Sequence, residues 1–215
     1  MISRPTLRPV TWSETLKHLI HGYREFRAGT WPQRRALFEE LAARGQKPHT
    51  MVIACSDSRV DPTMIFNVGP GELFVVRNVA NLVPPYMPDA EFHGTSAALE
   101  FGVNVLQVDD LIVLGHGMCG GIRALLDPSL APPDFVGPWM SIARRARDRV
   151  LACNPADPQT ECEHEAVKVS LENLRSFPWI VAREADRSLR LHGASFDIRT
   201  GVLELLQPDG GFAPA

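Results

Sequence analysis

Residues 51–59 read Met-Val-Ile-Ala-Cys-Ser-Asp-Ser-Arg: four apolar residues in a row, then an abrupt change to polar ones after Cys55. An unbroken apolar run fits a strand covered on both faces, as in a parallel sheet, because a strand with one wet face would alternate. Two further runs have the same character, Leu73–Val76 (LFVV) and Leu111–Leu114 (LIVL). Between them, Thr95–Leu106 places Leu99, Val103 and Leu106 on one face of a crossover helix. Gly120–Leu126 opens another helix directly after the third run. Asp127–Pro138 holds four prolines and reads as a loop. Helical stretches follow near Met140–Leu151 and Glu163–Phe177. Leu189–Ile198 and Val202–Leu206 then flank Arg199-Thr200-Gly201, a hairpin-like turn. Buried strands alternating with helices predict the α/β class, with a central, mostly parallel sheet flanked by helices and an antiparallel edge hairpin.

Upstream of the first strand the pattern changes to helical spacing. Thr11 and Glu14 have the T-x-x-E spacing of a capping box, and Trp12, Leu16, Leu19, Ile20, Tyr23 and Phe26 recur behind them on one face. Pro32 suits the first turn of a second helix carrying Leu37, Phe38 and Leu41. Residues 1–45 are therefore expected to form an N-terminal helical arm, and residues 46–215 the α/β domain. At 215 residues the chain is long enough to bury a full core without staples. Lys and Arg number 22 against 25 Asp and Glu, a net charge of −3, which does not suggest nucleic-acid or polybasic membrane binding. No apolar run approaches the ~20 residues of a membrane helix. The chain reads as cytoplasmic, a compartment where its four cysteines stay reduced and serve as ligands, nucleophiles or core filler.

Two polar segments follow predicted strands: Cys55-Ser56-Asp57-Ser58-Arg59 and His116-Gly117-Met118-Cys119-Gly120-Gly121. Open α/β sheets bind ligands beyond the carboxyl ends of their strands, so Cys55, His116 and Cys119 can converge there. Two thiolates and one imidazole suit zinc and leave the fourth tetrahedral position open, as catalytic zinc requires. A structural zinc would need a fourth donor, for which Cys153 and Cys162 are the spare thiols. Because two thiolates offset the metal's charge, neighbouring groups gain importance. Asp57 can orient a zinc-bound hydroxide and Arg59 can keep that carboxylate ionised; alternatively, Asp57 caps a backbone amide at a strand-end turn. Gly115–Gly120 also fits G-x-G-x-x-G, but the helix after it runs into Pro128–Asp134 rather than a second buried strand, and a dinucleotide site fails there. A cysteine-phosphatase loop fails as well, since Asp61 stands where its arginine belongs.

Cys55-Ser56-Asp57-Ser58-Arg59 with His116-x-x-Cys119-Gly120-Gly121 resembles the signature of the β-class carbonic anhydrases. Pro70–Asn81 is similar to the family's second-strand region, and His192-Gly193, Asp197-Ile198 and Thr200-Gly201 to its terminal hairpin. The resemblance implies one Zn²⁺ per chain on Cys55, His116 and Cys119, reversible CO₂ hydration to bicarbonate and a proton, and Asp57–Arg59 as the activating pair. It implies a homodimer or a multiple of dimers, with N-terminal helices embracing the partner. Gln46, Phe74, Val79 and Gly120 map to the substrate pocket, while Phe101 stands where the family has a tyrosine. Val52 replaces the tryptophan of the bicarbonate-regulated subtype, which points to the plant-like one, although Arg77 remains as a cation for a bicarbonate pocket. Relatives acting on CS₂ or COS leave that hydrolysis as an alternative, as is a non-catalytic zinc or redox scaffold. Of the seven histidines, His116 alone receives a role.

Overall fold

The computed structural model describes residues 13–89 and 91–215. In them, six strands lie side by side: β1 (Thr50–Cys55), β2 (Leu73–Asn78), β3 (Asp110–His116), β4 (Arg190–Phe196), β5 (Leu203–Leu206) and β6 (Phe212–Pro214), in the order β2-β1-β3-β4-β5-β6. The first four run parallel, and β5 and β6 are antiparallel to their neighbours. All three apolar runs are strands. Met51–Ala54 is buried throughout, but every residue of β2 is only half-buried. LFVV is the end strand with a single neighbour, so its apolar character does not signal a central position. The expected hairpin joins β4 to β5, with Gly201 at φ +74° in its turn. The edge itself lies one strand farther out, at β6, which is too short and proline-ended to carry a sequence pattern.

The helices of this domain are α3 (Pro62–Ile65), α4 (Gly94–Glu100), α5 (Gly120–Leu126), α6 (Val136–Met140), α7 (Arg144–Cys153), α8 (Pro158–Leu174) and α9 (Pro178–Ala185). The crossover helix expected to Leu106 is α-helical only to Glu100 and continues as a π-helical turn, Phe101–Val105. The proline-rich stretch is only partly a loop. Pro128–Leu130 is a 3₁₀ turn, and α6 takes in Pro138, whose missing N–H has no partner in a first helical turn anyway. α8 starts at Pro158, well before Glu163, because Asp157 caps the Thr160 amide at 3.1 Å and Pro158 suits the first turn. It stops at Leu174, and residues 178–185 form the separate, unanticipated α9.

α8 is buried on more than one side. Its Val167, Leu171 and Leu174 join Met51, Ile53, Leu99, Val103, Leu111 and Val113 in one core. Its Cys162, Ala166 and Val169 join a second core with Cys55, Val60, Leu82, Cys119, Ile122 and Met140. The sheet core thus sits beside a second one that packs around the loops leaving β1 and β3.

Residues Met1–Gln46 and Lys47–Ala215 separate into two compact units. In the first, α1 (Glu14–Glu25) and α2 (Trp31–Arg44) are joined by a π-helical turn, Phe26–Thr30. Thr11 and Trp12 lie outside the described residues; α1 is capped by Ser13, whose Oγ accepts the Leu16 amide at 3.2 Å. Pro32 occupies the first turn of α2 as expected. The rings of Phe26, Trp31 and Phe38 pack together, with the last two 5.0 Å apart. No helix among the described residues is long and apolar enough to cross a membrane.

The parallel pairing of β3 with β4 begins with an ion pair. Asp110 and Arg190 are register partners, and the guanidinium donates to both carboxylate oxygens at 2.7 and 2.6 Å. His192 Nε2 lies 2.7 Å from the same carboxylate. Arg190, then His192, hold the Asp110 carboxyl at about 2. A carboxyl held below its unfolded value stabilises the fold fully above about pH 4, and that contribution fades as pH falls toward the folded value. Asp110→Asn is expected to lose about 1 kcal/mol at neutral pH and to flatten the stability curve between pH 4 and 2. Urea denaturation across that range checks both, and an unchanged acid limb would remove Asp110 from this role.

Candidate metal centre

Cys55 is the last residue of β1 and His116 the last of β3, and the two strands are parallel neighbours in register at Ala54 and Leu114. Both side chains are therefore delivered to one end of the sheet. Cys119 arrives by another route: the chain turns through Gly117 and Met118, the latter at φ +59°, and Cys119 caps α5. One donor atom from each of Cys55, His116 and Cys119 lies within 4.8 Å of the others, and all three residues are buried. His116 Nδ1 lies 2.8 Å from the Gly117 carbonyl oxygen, which makes it the donor and leaves a lone pair on Nε2. Nε2 is the one buried side-chain polar atom without a partner among the described residues. An orphaned buried nitrogen facing two thiols is costly on its own and suits a metal ion.

The charges agree. The Cys119 thiol, against the opposing effect of burial, pulls Cys55 down to about 4, helped by His116 and by backbone amides including Ala80 N–H, 3.3 Å from Sγ. The same contact, with burial, pushes Cys119 up against the pull of the Ile122 and Gly121 amides. Cys55 is thus the sulfur that ionises more easily and Cys119 the one that holds its proton longer. A divalent cation would favour the ionised form of both.

Asp57 follows on the loop after β1. Its carboxylate accepts from Arg59 Nε at 2.9 Å and Nη2 at 2.7 Å, and Oδ1 also accepts the Arg59 amide at 3.0 Å. The strand-end turn and the ion pair are therefore one arrangement. Arg59 holds Asp57 well below the usual carboxylate range. Arg59 Nη2 also donates to the Met118 carbonyl oxygen at 3.1 Å, tying the loop after β1 to the loop after β3.

Two residues around the centre, Glu163 and Gln159, escaped the sequence reading, and a third, Arg77, has a different part from the one expected. Arg77, opposite Ala54 on β2, donates to the carbonyl oxygens of Cys55 at 2.9 Å and Asp57 at 2.6 Å, and to Asp61 at 3.2 Å. It is a clamp on the 55–61 loop, not a free cation. Glu163 accepts the Cys119 amide at 2.8 Å, and Gln159 donates to the Cys119 carbonyl oxygen at 3.1 Å. Burial raises the Glu163 carboxyl. The available signal was an acid on an otherwise inward-facing turn of α8. Cys153 is exposed and Cys162 buried, its thiol pushed up to about 12 by burial; neither joins the cluster of donors.

The residues expected around a substrate are more dispersed. Gly120 opens α5 with open space where a Cβ would stand. Val79 is exposed and lines an apolar cavity of about 770 Å³ with Trp139 and Phe135. Phe74 packs on Phe101, ring centroids 5.8 Å apart, and pairs in register with Met51. That is the far end of β1 from Cys55, about 13 Å away at about 3.3 Å per residue. Gln46 is exposed and belongs to the first unit.

The sequence profile of the carbonic anhydrases matches residues 50–203. Beta carbonic anhydrase 3 of Arabidopsis thaliana is 36% identical over 210 residues, 94% of this chain and 81% of that protein. The β-carbonic anhydrase CcaA superposes with a TM-score of 0.88 at 32% identity, covering 94% of this chain and 93% of that one. A tetrameric β-carbonic anhydrase from Sordaria macrospora gives 0.77 at 27% identity, over 94% of this chain and all (100%) of its own. The matched span contains both strand-end loops and the whole cluster of cysteine and histidine donors, and with that agreement the chain belongs to the β-class carbonic anhydrases, a family of zinc-dependent lyases.

Proposed function

We propose that the chain catalyses the reversible hydration of CO₂ to bicarbonate and a proton at a zinc held by Cys55, His116 and Cys119. The observation that carries this reading is a His116 ring nitrogen within 4.8 Å of two cysteine sulfurs, with the buried Nε2 of that ring left partnerless, beside an Asp57–Arg59 pair. Zinc, when bound, lowers the pKa of water to about 7 and so supplies a nucleophile at neutral pH. Asp57 acts on the proton of that nucleophile. With Arg59 occupying one side of its carboxylate, a remaining lone pair accepts the proton's hydrogen bond and turns the reactive oxygen toward substrate. Arg59 keeps Asp57 ionised, and its bond to the Met118 carbonyl oxygen keeps the pair in register with the third ligand. Arg77 prevents the 55–61 loop from opening. Gly120 leaves room for a small linear molecule, and Val79 offers it an apolar wall.

Phe74 fits the same pocket only if a second copy supplies it, because on β2 it stands beside Met51, at the far end of β1 from Cys55. This supports a homodimer or a multiple of dimers, in line with the tetrameric Sordaria macrospora relative. Exposed Met87, Phe92 and Phe135 leave apolar surface for such a contact.

Two features support the plant-like, non-bicarbonate-regulated subtype. Val52 is fully buried among Ala54, Leu114 and Ala194, and Arg77 is engaged by backbone carbonyl oxygens and Asp61. A ligand shifts an equilibrium only by binding one state better, and neither residue offers bicarbonate such a contact.

Metal analysis is expected to find one zinc per chain, lost in Cys55→Ser, His116→Ala and Cys119→Ser; full occupancy in Cys119→Ser would refute the ligand set. Asp57→Asn and Arg59→Ala should keep the metal and lose CO₂ hydration by about 10²–10³ in stopped-flow assays. Arg59→Lys should also be impaired, since an ammonium cannot reproduce a planar two-point contact. Near-normal turnover in zinc-replete Asp57→Asn would confine the pair to a structural role. Activity should decline gradually on acidification, because Arg59 holds Asp57 below the usual carboxylate range and the nucleophile gains its proton first. Added bicarbonate should inhibit without cooperativity; a steep sigmoidal loss would overturn the subtype and leave the family standing.

A further inference from the structure

Two of the three donors need no help to face each other. Cys55 and His116 end paired strands, and the ladder between β1 and β3 aims them. Cys119 lies on no strand: it follows a residue in left-handed backbone and caps α5, where its carbonyl oxygen accepts the Arg123 amide at 3.0 Å while its own N–H is left to a partner outside that helix. We propose that Glu163, braced by Gln159, is the positioning residue for Cys119, and that this clamp sets how tightly the centre holds its metal. The proposal rests on the zinc reading above.

Both main-chain polar groups of Cys119 are bound to α8. Its N–H donates to Glu163 Oε1 at 2.8 Å, and its carbonyl oxygen accepts from Gln159 Nε2 at 3.1 Å. Gln159 Nε2 also donates to Glu163 Oε1 at 2.5 Å, one helical turn away, so the two side chains brace each other. With its peptide groups held on both sides, Cys119 retains only rotation about Cα–Cβ to aim its sulfur. Glu163 is 3% exposed. A carboxyl in that position costs solvation that an apolar residue would not. Core packing alone gives no reason for it, whereas a strong acceptor for the Cys119 amide does. Groups that orient metal ligands typically change metal affinity by about 10–100-fold when removed.

The test compares wild type, E163Q, E163L and Q159L by zinc competition against a chromophoric chelator, by the absorption spectrum of the cobalt(II)-loaded protein, and by urea denaturation of the metal-free chain. E163L, which removes the acceptor, is expected to weaken zinc binding by about 10–100-fold and to alter the cobalt d–d and thiolate charge-transfer bands. E163Q keeps an acceptor for the Cys119 amide and should retain most of the affinity. Q159L should lose several-fold. A folded E163L protein with wild-type affinity and spectrum would overturn the proposal, as would an E163Q protein as weak as E163L. If E163L does not fold, Q159L decides, and unchanged zinc affinity there would overturn it. A wild-type chain that binds no zinc would refute the metal centre itself, before any α8 variant is compared.

Discussion

The parallel pairing of β1 with β3 is the constraint from which the rest of the centre follows. Parallel strands end together, so the last residue of one and the last residue of the other meet without any loop being designed to bring them there. Cys55 and His116 are those two residues. Both strands are inner members of the sheet, flanked by β2 and β4, and their apolar residues pack on both of its faces. A slip of one strand by a residue would carry its donor about 3.3 Å along the sheet and turn it to the other face. Precision at the centre therefore comes from the same apolar contacts that stabilise the sheet.

What the ladder cannot supply, hydrogen bonds do. Arg77 reaches from β2 to the carbonyl oxygens of the 55–61 loop, and Arg59 reaches from that loop to the Met118 carbonyl oxygen. α8 closes the third side through Gln159 and Glu163. Each link runs from a rigid element to a loop, and the loops hold the chemistry. Inside this frame, two thiols and an imidazole crowd together, with contact and burial opposing ionisation at Cys119 while Cys55 ionises more easily. Such a cluster is poorly satisfied by protein alone, which is the usual condition of a site awaiting a cation.

Much of this was legible locally. Met51–Ala54 and Leu111–Leu114 announce buried strands because burial of a central strand imprints every residue in it. The two polar loops announce the donors because they follow directly. Other features depend on contacts that no local pattern records. LFVV looks like a central strand yet is an end one, since strand order is decided by crossovers far away in sequence. β6 is three residues long, and α9 follows α8 so closely that only Pro178 marks the join. Glu163 reads as an ordinary helical acid until α8 is seen to be inward-facing there. Phe74 carries the right chemistry for a pocket, but its register with Met51 puts it at the other end of the strand from Cys55.

α8 lends residues to both cores, Val167 and Leu171 to one, Cys162 and Ala166 to the other. Partial opening of either core strips contacts from the same helix, and so weakens its partner. Where cooperative opening units follow packed contacts, sharing α8 places the two cores in one unit of amide-hydrogen exchange. Occupancy of the metal centre would then slow exchange far into the sheet, at Met51 and Val113 as well as at Cys119. In this fold, protection at the farthest strand residues serves as a gauge of what is bound at the loops.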